Sequence, residues 1–402
     1  MPVFSPSSPF SPPSTLQCLV ATPVRLLFYI LYHLLLLLRG SPYAPPKNFK
    51  PVKVVCISDT HCKNPLSSVP PGDILIHAGD LSNLGTRAEI QRQIDWLKSI
   101  HGDVVRGGFS HIIVICGNHD SYFDPKSRSS HDRRQEGHHS GRGLDWGPVV
   151  YLQNNSTTVT VDGNRSLNVY GAPQIPKCGG REFAFQYPRS DNTNSDIKGK
   201  VSGSPTEYHH SQDVWSHTIP PDVDILITHT PPKTHLDIPL GPQAGLGCAS
   251  LLRECWRVKP SLHVFGHIHS GHGVEYAWWD EAQRLHEWIC ASKTSGGLVF
   301  PFSFISEALH IRLWIQGSRM LYHAIKSLLW VRVWNGGTTG QEGGGRGGGG
   351  GGSDGGAGPK SSRRTAEVVS RGSNVGGSIM VNAALTHQTS DQLSNPPIVV
   401  YL

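Results

Sequence analysis

The chain contains no CxxC pair, and its eight cysteines show no paired spacing. That excludes a zinc knuckle and a disulfide framework as organising devices. Cys56 and Cys116 sit inside apolar runs, where a free thiol behaves as a small hydrophobe, and a reducing compartment is the expectation. The sequons at Asn154, Asn155 and Asn164 would matter only if this part of the chain were lumenal. No basic strip is interleaved with aromatics, so no nucleic-acid interface is indicated. Charge is sparse, at 16% of residues, and the formal net charge of +6 is modest. The basic stretches Lys126–Arg142 and Lys360–Arg371 read first as solvated loops and second as patches for phosphate or anionic lipid.

A spanning helix needs roughly 20 apolar residues. The run Leu26–Leu38 offers 13, between Arg25 and Arg39. It reads as a signal-peptide core, a short signal anchor or a helix lying on a membrane surface. No small-x-small cleavage site follows it, so membrane association is expected over cleavage. A helix packed on the rest of the chain is the competing reading, disfavoured because the run leaves no polar face for solvent.

Residues 1–50 form a Pro/Ser-rich head with this apolar segment. From Pro51 the texture changes to short β-branched runs: Val52–Ile57, Asp73–Ile76, His111–Cys116, Val149–Leu152, Thr157–Val161, Leu167–Tyr170, Val223–Thr228 and Ser261–Phe265. Such lengths suit strands buried in a sheet. Thr86–Ile100 predicts a helix, with Thr86 and Glu89 as a capping box and Ile90, Ile94, Leu97 and Ile100 as one stripe. Leu246–Val258 predicts another. Alternating strands and helices argue for an α/β layered domain. Pro125–Gly147 and Gly179–Asp213 are polar and aperiodic; their histidines (His131, His138, His139, His209, His210) read as solvated surface. Phe304–Trp334 is apolar with spaced cations Arg312, Arg319, Lys326 and Arg332 against the single acid Glu307. It reads equally as a membrane-surface element or as a basic amphipathic helix or helix pair docked on the domain. A Gly-rich linker follows, holding 15 of the 45 glycines between Gly336 and Gly358. Strand-like texture then returns at Ile379–Leu385 and Pro397–Leu402.

Five of the apolar runs end in metal-competent side chains. Val52–Ile57 leads to Asp59 and His61, and Ile74–Ala78 leads to Asp80. Ile112–Cys116 leads to Asn118, His119 and Asp120; Ile225–Thr228 leads to His229; Leu262–Phe265 leads to His267 and His269. In an open α/β sheet, ligand sites gather beyond the carboxyl ends of the strands. Carboxylate, amide oxygen and imidazole together suit borderline divalent ions such as Mn²⁺, Fe²⁺ or Zn²⁺ rather than a thiolate site. Seven donors exceed one tetrahedral ion and suit two that share a carboxylate, a pair able to clamp a phosphoryl group and acidify a bound water. Each fragment alone is common in unrelated chains; the five in this order are specific. A relic site that folds but no longer turns over is the bland reading of the set.

Those residues spell I-S-D-T-H (Ile57–His61), H-A-G-D-L (His77–Leu81), G-N-H-D (Gly117–Asp120), T-H-T-P-P (Thr228–Pro232) and F-G-H-I-H (Phe265–His269). The sequence thereby resembles the calcineurin-like metallophosphoesterase superfamily, and within it the metallophosphoesterase-domain-containing branch. Weaker echoes are Gly171-Ala172-Pro173 before Phe183–Pro188, and the terminal Val381–Ala384 and Asn395–Val399. Gln174 stands where the branch usually has Trp. The resemblance implies two packed mixed β-sheets flanked by helices. It implies a phosphoesterase domain over 51–402, interrupted at about 280–377. It implies that Asp59, His61, Asp80 and His269 hold one metal, and that Asp80, Asn118, His229 and His267 hold the second. His119 would then protonate the leaving oxygen or stabilise phosphoryl charge, with Asp120 orienting its ring through the other nitrogen. A phosphoester is the expected substrate, with a diester favoured over a monoester, attacked by hydroxide bridging two divalent ions, Mn²⁺ foremost. The alternative is a membrane-associated scaffold with a largely structural dinuclear site.

Overall fold

A strand whose residues are all apolar must bury both faces, and therefore needs a layer on each side. In Val54–Ile57, Val54 and Cys56 face one way, Val55 and Ile57 the other, and all four are buried. A computed structural model of the chain describes residues 15–43, 46, 49–65, 69–102, 107–128, 143–161, 165–189, 213–237, 245–291, 302–336, 377–386 and 392–402. The Gly-rich stretch within 337–376, the five loop histidines and Asn164 lie outside the described residues.

Two mixed sheets form the centre. In the first, β1 (Lys53–Ile57), β2 (Ile74–Ala78), β3 (His111–Ile115) and β4 (Val149–Tyr151) run parallel. The final strand β13 (Ile398–Tyr401) pairs antiparallel with β1 at the edge. The second sheet has the order β11 (Gly273–Ala277), β12 (Ser378–Asn382), β10 (Leu262–Phe265), β9 (Ile225–Thr228), β6 (Arg165–Ala172), β5 (Asn155–Val161). Its four inner strands are parallel, and β5 and β11 are antiparallel edges. A two-residue pair, β7 (Ile175–Pro176) and β8 (Gln186–Tyr187), stands apart.

The inner faces of the two large sheets meet in one apolar layer, where Val54, Ile76 and Ile113 oppose Val169, Ile227 and Val264. Behind the first sheet, α3 (Arg87–Ser99) lays Ile90, Ile94 and Leu97 on Val55, Leu75 and Val114. Thr86 and Glu89 close the expected capping box at its start. Behind the second sheet, α4 (Ala249–Val258) lays Leu251, Cys255 and Val258 on Leu226, Phe265 and Met380. The result is two packed mixed sheets flanked by helices, the expected fold class. All eight cysteines are free.

A second body is built from helices. Strands β11 and β12 are direct neighbours, with Ala277 paired to Ser378, so the chain between them leaves and re-enters the sheet at one place. That excursion holds α5 (Glu281–Ala291), α6 (Phe302–Ala308) and α7 (Ile311–Gly336). Of these, α5 and α7 share a separate core with α2 (Pro23–Arg39), built from Phe28, Tyr32, Leu285, Ile289, Leu313 and Met320, while α6 and α1 (Thr15–Ala21) lie against α2.

The apolar run at 26–38 is therefore a helix with one face packed on protein, the packing that the sequence had disfavoured. It docks on α5 and α7 rather than on the sheets. The flanking arginines also turn inward: Arg25 meets Glu307 at 3.2 Å, and Arg39 meets Asp280 at 2.7 Å. The opposite face of α2 stays exposed although it is apolar. Among the described residues, no helix is long and apolar enough to cross a membrane.

Candidate active site

The carboxyl ends of β1, β2 and β3 in one sheet and of β9 and β10 in the other converge at a common edge. There the backbone is forced out of its ordinary range. Asp59, His61, Asp80 and His267 all hold positive φ, between 45° and 66°. Left-handed backbone at non-glycine residues costs of order 1–3 kcal/mol each and persists only where surrounding structure over-determines it. Here each turn swings its side chain inward at the strand end.

The side chains so gathered interlock. Donor atoms of Asp59, His61 and His269 lie within 4.8 Å of one another, as do those of His61, Asp80 and His119, and those of Asp59, Asp80 and His229. His269 Nε2 stands 3.3 Å from Asp59 Oδ1, and His229 Nε2 stands 3.3 Å from Asp80 Oδ2. Asn118 Oδ1 lies 3.0 Å from the same His229 nitrogen. The His267 ring is 5.2 Å from that of His229, and the His267 backbone N–H donates to Asp59. All nine residues singled out in the sequence thus lie at this edge. Asp120 stands behind the others rather than among them.

The electrostatics of the cluster suit a cation. Asp59 and Asp80 are fully buried, yet both carboxylates are held below their ordinary range: burial opposes ionisation, and neighbouring imidazoles overcome it. Burial alone would push His229 down, but the Asp80 carboxylate holds it up at about 9. Among the described residues, buried His61 Nε2 has no hydrogen-bond partner, an orphan that a metal ion would satisfy. Two buried carboxylates, an amide oxygen and four imidazoles fit borderline divalent ions.

The sequence profile of the family described as calcineurin-like phosphoesterase matches residues 52–271. The chain belongs to that family. Relatives include metallophosphoesterase domain-containing protein 1 of Homo sapiens and of Mus musculus, each 33% identical over 58% of this chain and 65% of theirs. A UPF0046 protein of Caenorhabditis elegans is 33% identical over 58% of this chain and 70% of its own length. A protein of Emericella nidulans named probable rhamnogalacturonate lyase C is 40% identical over 59% of this chain, but that stretch is 19% of its length. The chain thus spans less than two thirds of the first two named proteins it matches.

The glycines of the calcineurin-like phosphoesterase motifs have a local reason here. A Cβ on Gly117 would run into the Asp80 carboxylate and the His229 ring, and one on Gly266 into Asp59 and Ser58. Backbone must approach these carboxylates too closely for any side chain.

The expected partnership of His119 with Asp120 is corrected by the structure. His119 Nδ1 donates to the Asn83 carbonyl at 2.8 Å. Asp120 is buried beneath and accepts from Ser82 Oγ (2.6 Å) and from the backbone N–H of Gly117 (2.8 Å), Ser82 (2.9 Å) and Leu81 (3.2 Å). Burial and the nearby Asp80 charge raise its carboxyl to about 6 against those donors. Asp120 therefore pins the β2 and β3 turns together rather than steering the imidazole. Its carboxylate is short, and the turn amides reach it first.

Three contributors had little signal in the sequence. The Asn83 carbonyl orients His119, and a main-chain group carries no residue identity. Asn382, noted only within a terminal echo, donates to Ile268 O at 2.9 Å and so braces the turn between His267 and His269. Phe183 sets its ring edge-on to His119, with centroids 5.1 Å apart, from the polar stretch read as an inserted loop.

Proposed function

We propose that the chain is a metal-dependent phosphoesterase with a preference for phosphodiesters. One observation supports the metal-dependent reading above the rest: donors from both sheets form three triads, each within 4.8 Å, and Asp59, His61 and Asp80 each belong to two of them. Overlap of this kind suits two neighbouring ions better than one. The diester preference follows the family resemblance alone.

Asp59, His61, Asp80 and His269 would hold one ion; Asp80, Asn118, His229 and His267 would hold the other. When bound, two divalent ions, Mn²⁺ foremost with Fe or Zn as alternatives, supply charge for the phosphoryl oxygens and a water acidic enough to attack near neutral pH. The protein's own groups do the rest. Buried carboxylates on strained turns fix the donors before substrate arrives. The Asn83 carbonyl occupies His119 Nδ1, leaving Nε2 to face the substrate. From there His119 can protonate the leaving oxygen or steady phosphoryl charge. Phe183 beside it narrows the approach.

The test is hydrolysis of bis-para-nitrophenyl phosphate and para-nitrophenyl phosphate by purified protein loaded in turn with Mn²⁺, Fe²⁺ and Zn²⁺. A higher kcat/KM on the diester is expected. A higher value on the monoester reverses the preference. Two bound ions with no turnover on either ester would favour the scaffold reading.

A further inference from the structure

We propose that the outer face of the helical body docks on an anionic lipid surface, lying on the membrane rather than crossing it. This concerns where the protein works and is independent of the hydrolytic reading.

Helix α5 is the inner layer of that body. Its Glu287 reaches His235 in the segment after β9 at 3.0 Å, while its His286 stacks on Tyr32 of α2 at 4.0 Å between centroids. Helices α2 and α7 lie side by side outside it, in the same direction: Phe28 meets Trp314, and Arg39 meets Ser327. Opposite their buried stripes, Ile30, Leu34 and Leu37 on α2 and Ile315, Tyr322 and Leu329 on α7 are exposed by 47% to 78%. Scattered exposed leucines are ordinary, but two adjoining stripes form a contiguous apolar face of the kind that marks an interaction surface.

Charge selects the occupant. Arg312, Arg319 and Lys326 recur every seven residues, making one exposed line along α7 beside the apolar stripe. Neither α2 nor α7 contains an acidic residue. The acid of α6, Glu307, is consumed inside, where it accepts from Val24 N–H and pairs with Arg25. Glu281 of α5 approaches Arg319 at 3.7 Å from the edge of the face. Trp314 and Trp330 are exposed on α7, and indoles favour the headgroup boundary. A second copy would set cations against cations across a two-fold interface, whereas anionic headgroups complement them.

The test is co-sedimentation of the full chain with vesicles of phosphatidylcholine alone or mixed with phosphatidylserine. Binding to the mixed vesicles is expected to be on the order of tenfold tighter or more, and to weaken with added salt. Arg312→Glu with Lys326→Glu should abolish that preference. Leu34→Gln with Leu329→Gln should lower binding to both vesicles by on the order of tenfold or more, with melting unchanged. The proposal is overturned if the protein stays in the supernatant with both vesicles, or if binding ignores all four substitutions. It is also overturned if the chain is a dimer in solution that Leu34→Gln with Leu329→Gln turns into monomers, which would assign the face to a second copy.

Discussion

The strand-end cluster and the helical body break the usual partition of residues in opposite directions. At the strand ends, carboxylates and imidazoles are buried; on the helices, leucine, isoleucine and tryptophan are exposed. Buried polar groups and contiguous exposed apolar groups are the informative departures in a folded chain. They are also maintained differently. The cluster draws on five strands from two sheets and holds four residues in left-handed backbone, so its geometry is imposed from a distance. The exposed face is local: it is the side of α2 and α7 left over once their other side is packed. The first region should therefore fail abruptly when one residue changes, and the second gradually.

Asp80→Asn is the sharpest way to break the first region. Its carboxylate touches His229, approaches His61 and accepts the His119 backbone N–H at 2.8 Å. Metal content should fall and turnover should drop by more than about 10³-fold. A full metal complement by elemental analysis would remove Asp80 from the shared position. His119→Ala should cost about 10²–10⁴-fold in kcat and leave metal content intact, because its proposed work is on the substrate. Loss of metal along with rate would move His119 into the ligand set.

Two substitutions act on stability, one inside the helical body and one where it meets the sheets. Phe28 is buried between α2 and α7, against Trp314 and Gly317. Phe28→Ala should cost about 3–5 kcal/mol, read by denaturant unfolding. His235 lies between Glu275 (3.3 Å) and Glu287 (3.0 Å). Burial alone would push it down, yet the two carboxylates hold it up at about 10. A raised folded-state value means that its contribution is complete below about pH 6.5 and is lost as pH rises towards 10. Metal-saturated wild type should thus lose stability between pH 7 and 10. His235→Gln should be less stable by about 3 kcal/mol at pH 7 and show a flatter profile. Parallel profiles for the two proteins would mean that the His235 charge does not stabilise the junction.

Much of this was readable in the chain because it is encoded locally. Each strand of the site is an apolar run, and each donor follows within four residues, so strand and chemistry announce themselves together. The capping box at Thr86 is equally local. What escaped depends on partners distant in sequence or on the main chain. Positive φ at Asp59 and Asp80 is dictated by the packing of two sheets. The Asp120 carboxylate turned to amides of Gly117, Leu81 and Ser82, and no side-chain pattern signals an amide. The run at 26–38 looked like a membrane segment because its packing partners are far along the chain: Arg39 meets Asp280 across 241 positions. Hydrophobicity in one window cannot tell burial against such a partner from burial in lipid.

The smallest expected effect decides how the helical body is used. Leu37 sits on α2 one residue from buried Leu36, and is 78% exposed. If that face is open in solution, Leu37→Gln exchanges one solvated side chain for another. Stability should then move by no more than about 0.5 kcal/mol, against the larger loss expected from Phe28→Ala on the same helix. Equilibrium unfolding of both variants in the absence of lipid makes the comparison. A loss at Leu37 that approaches the loss at Phe28 would show that the face is already covered by protein in solution, and the contrast between the two regions would close. A negligible loss would leave the stripe as surface that folding does not use, held for something outside the chain.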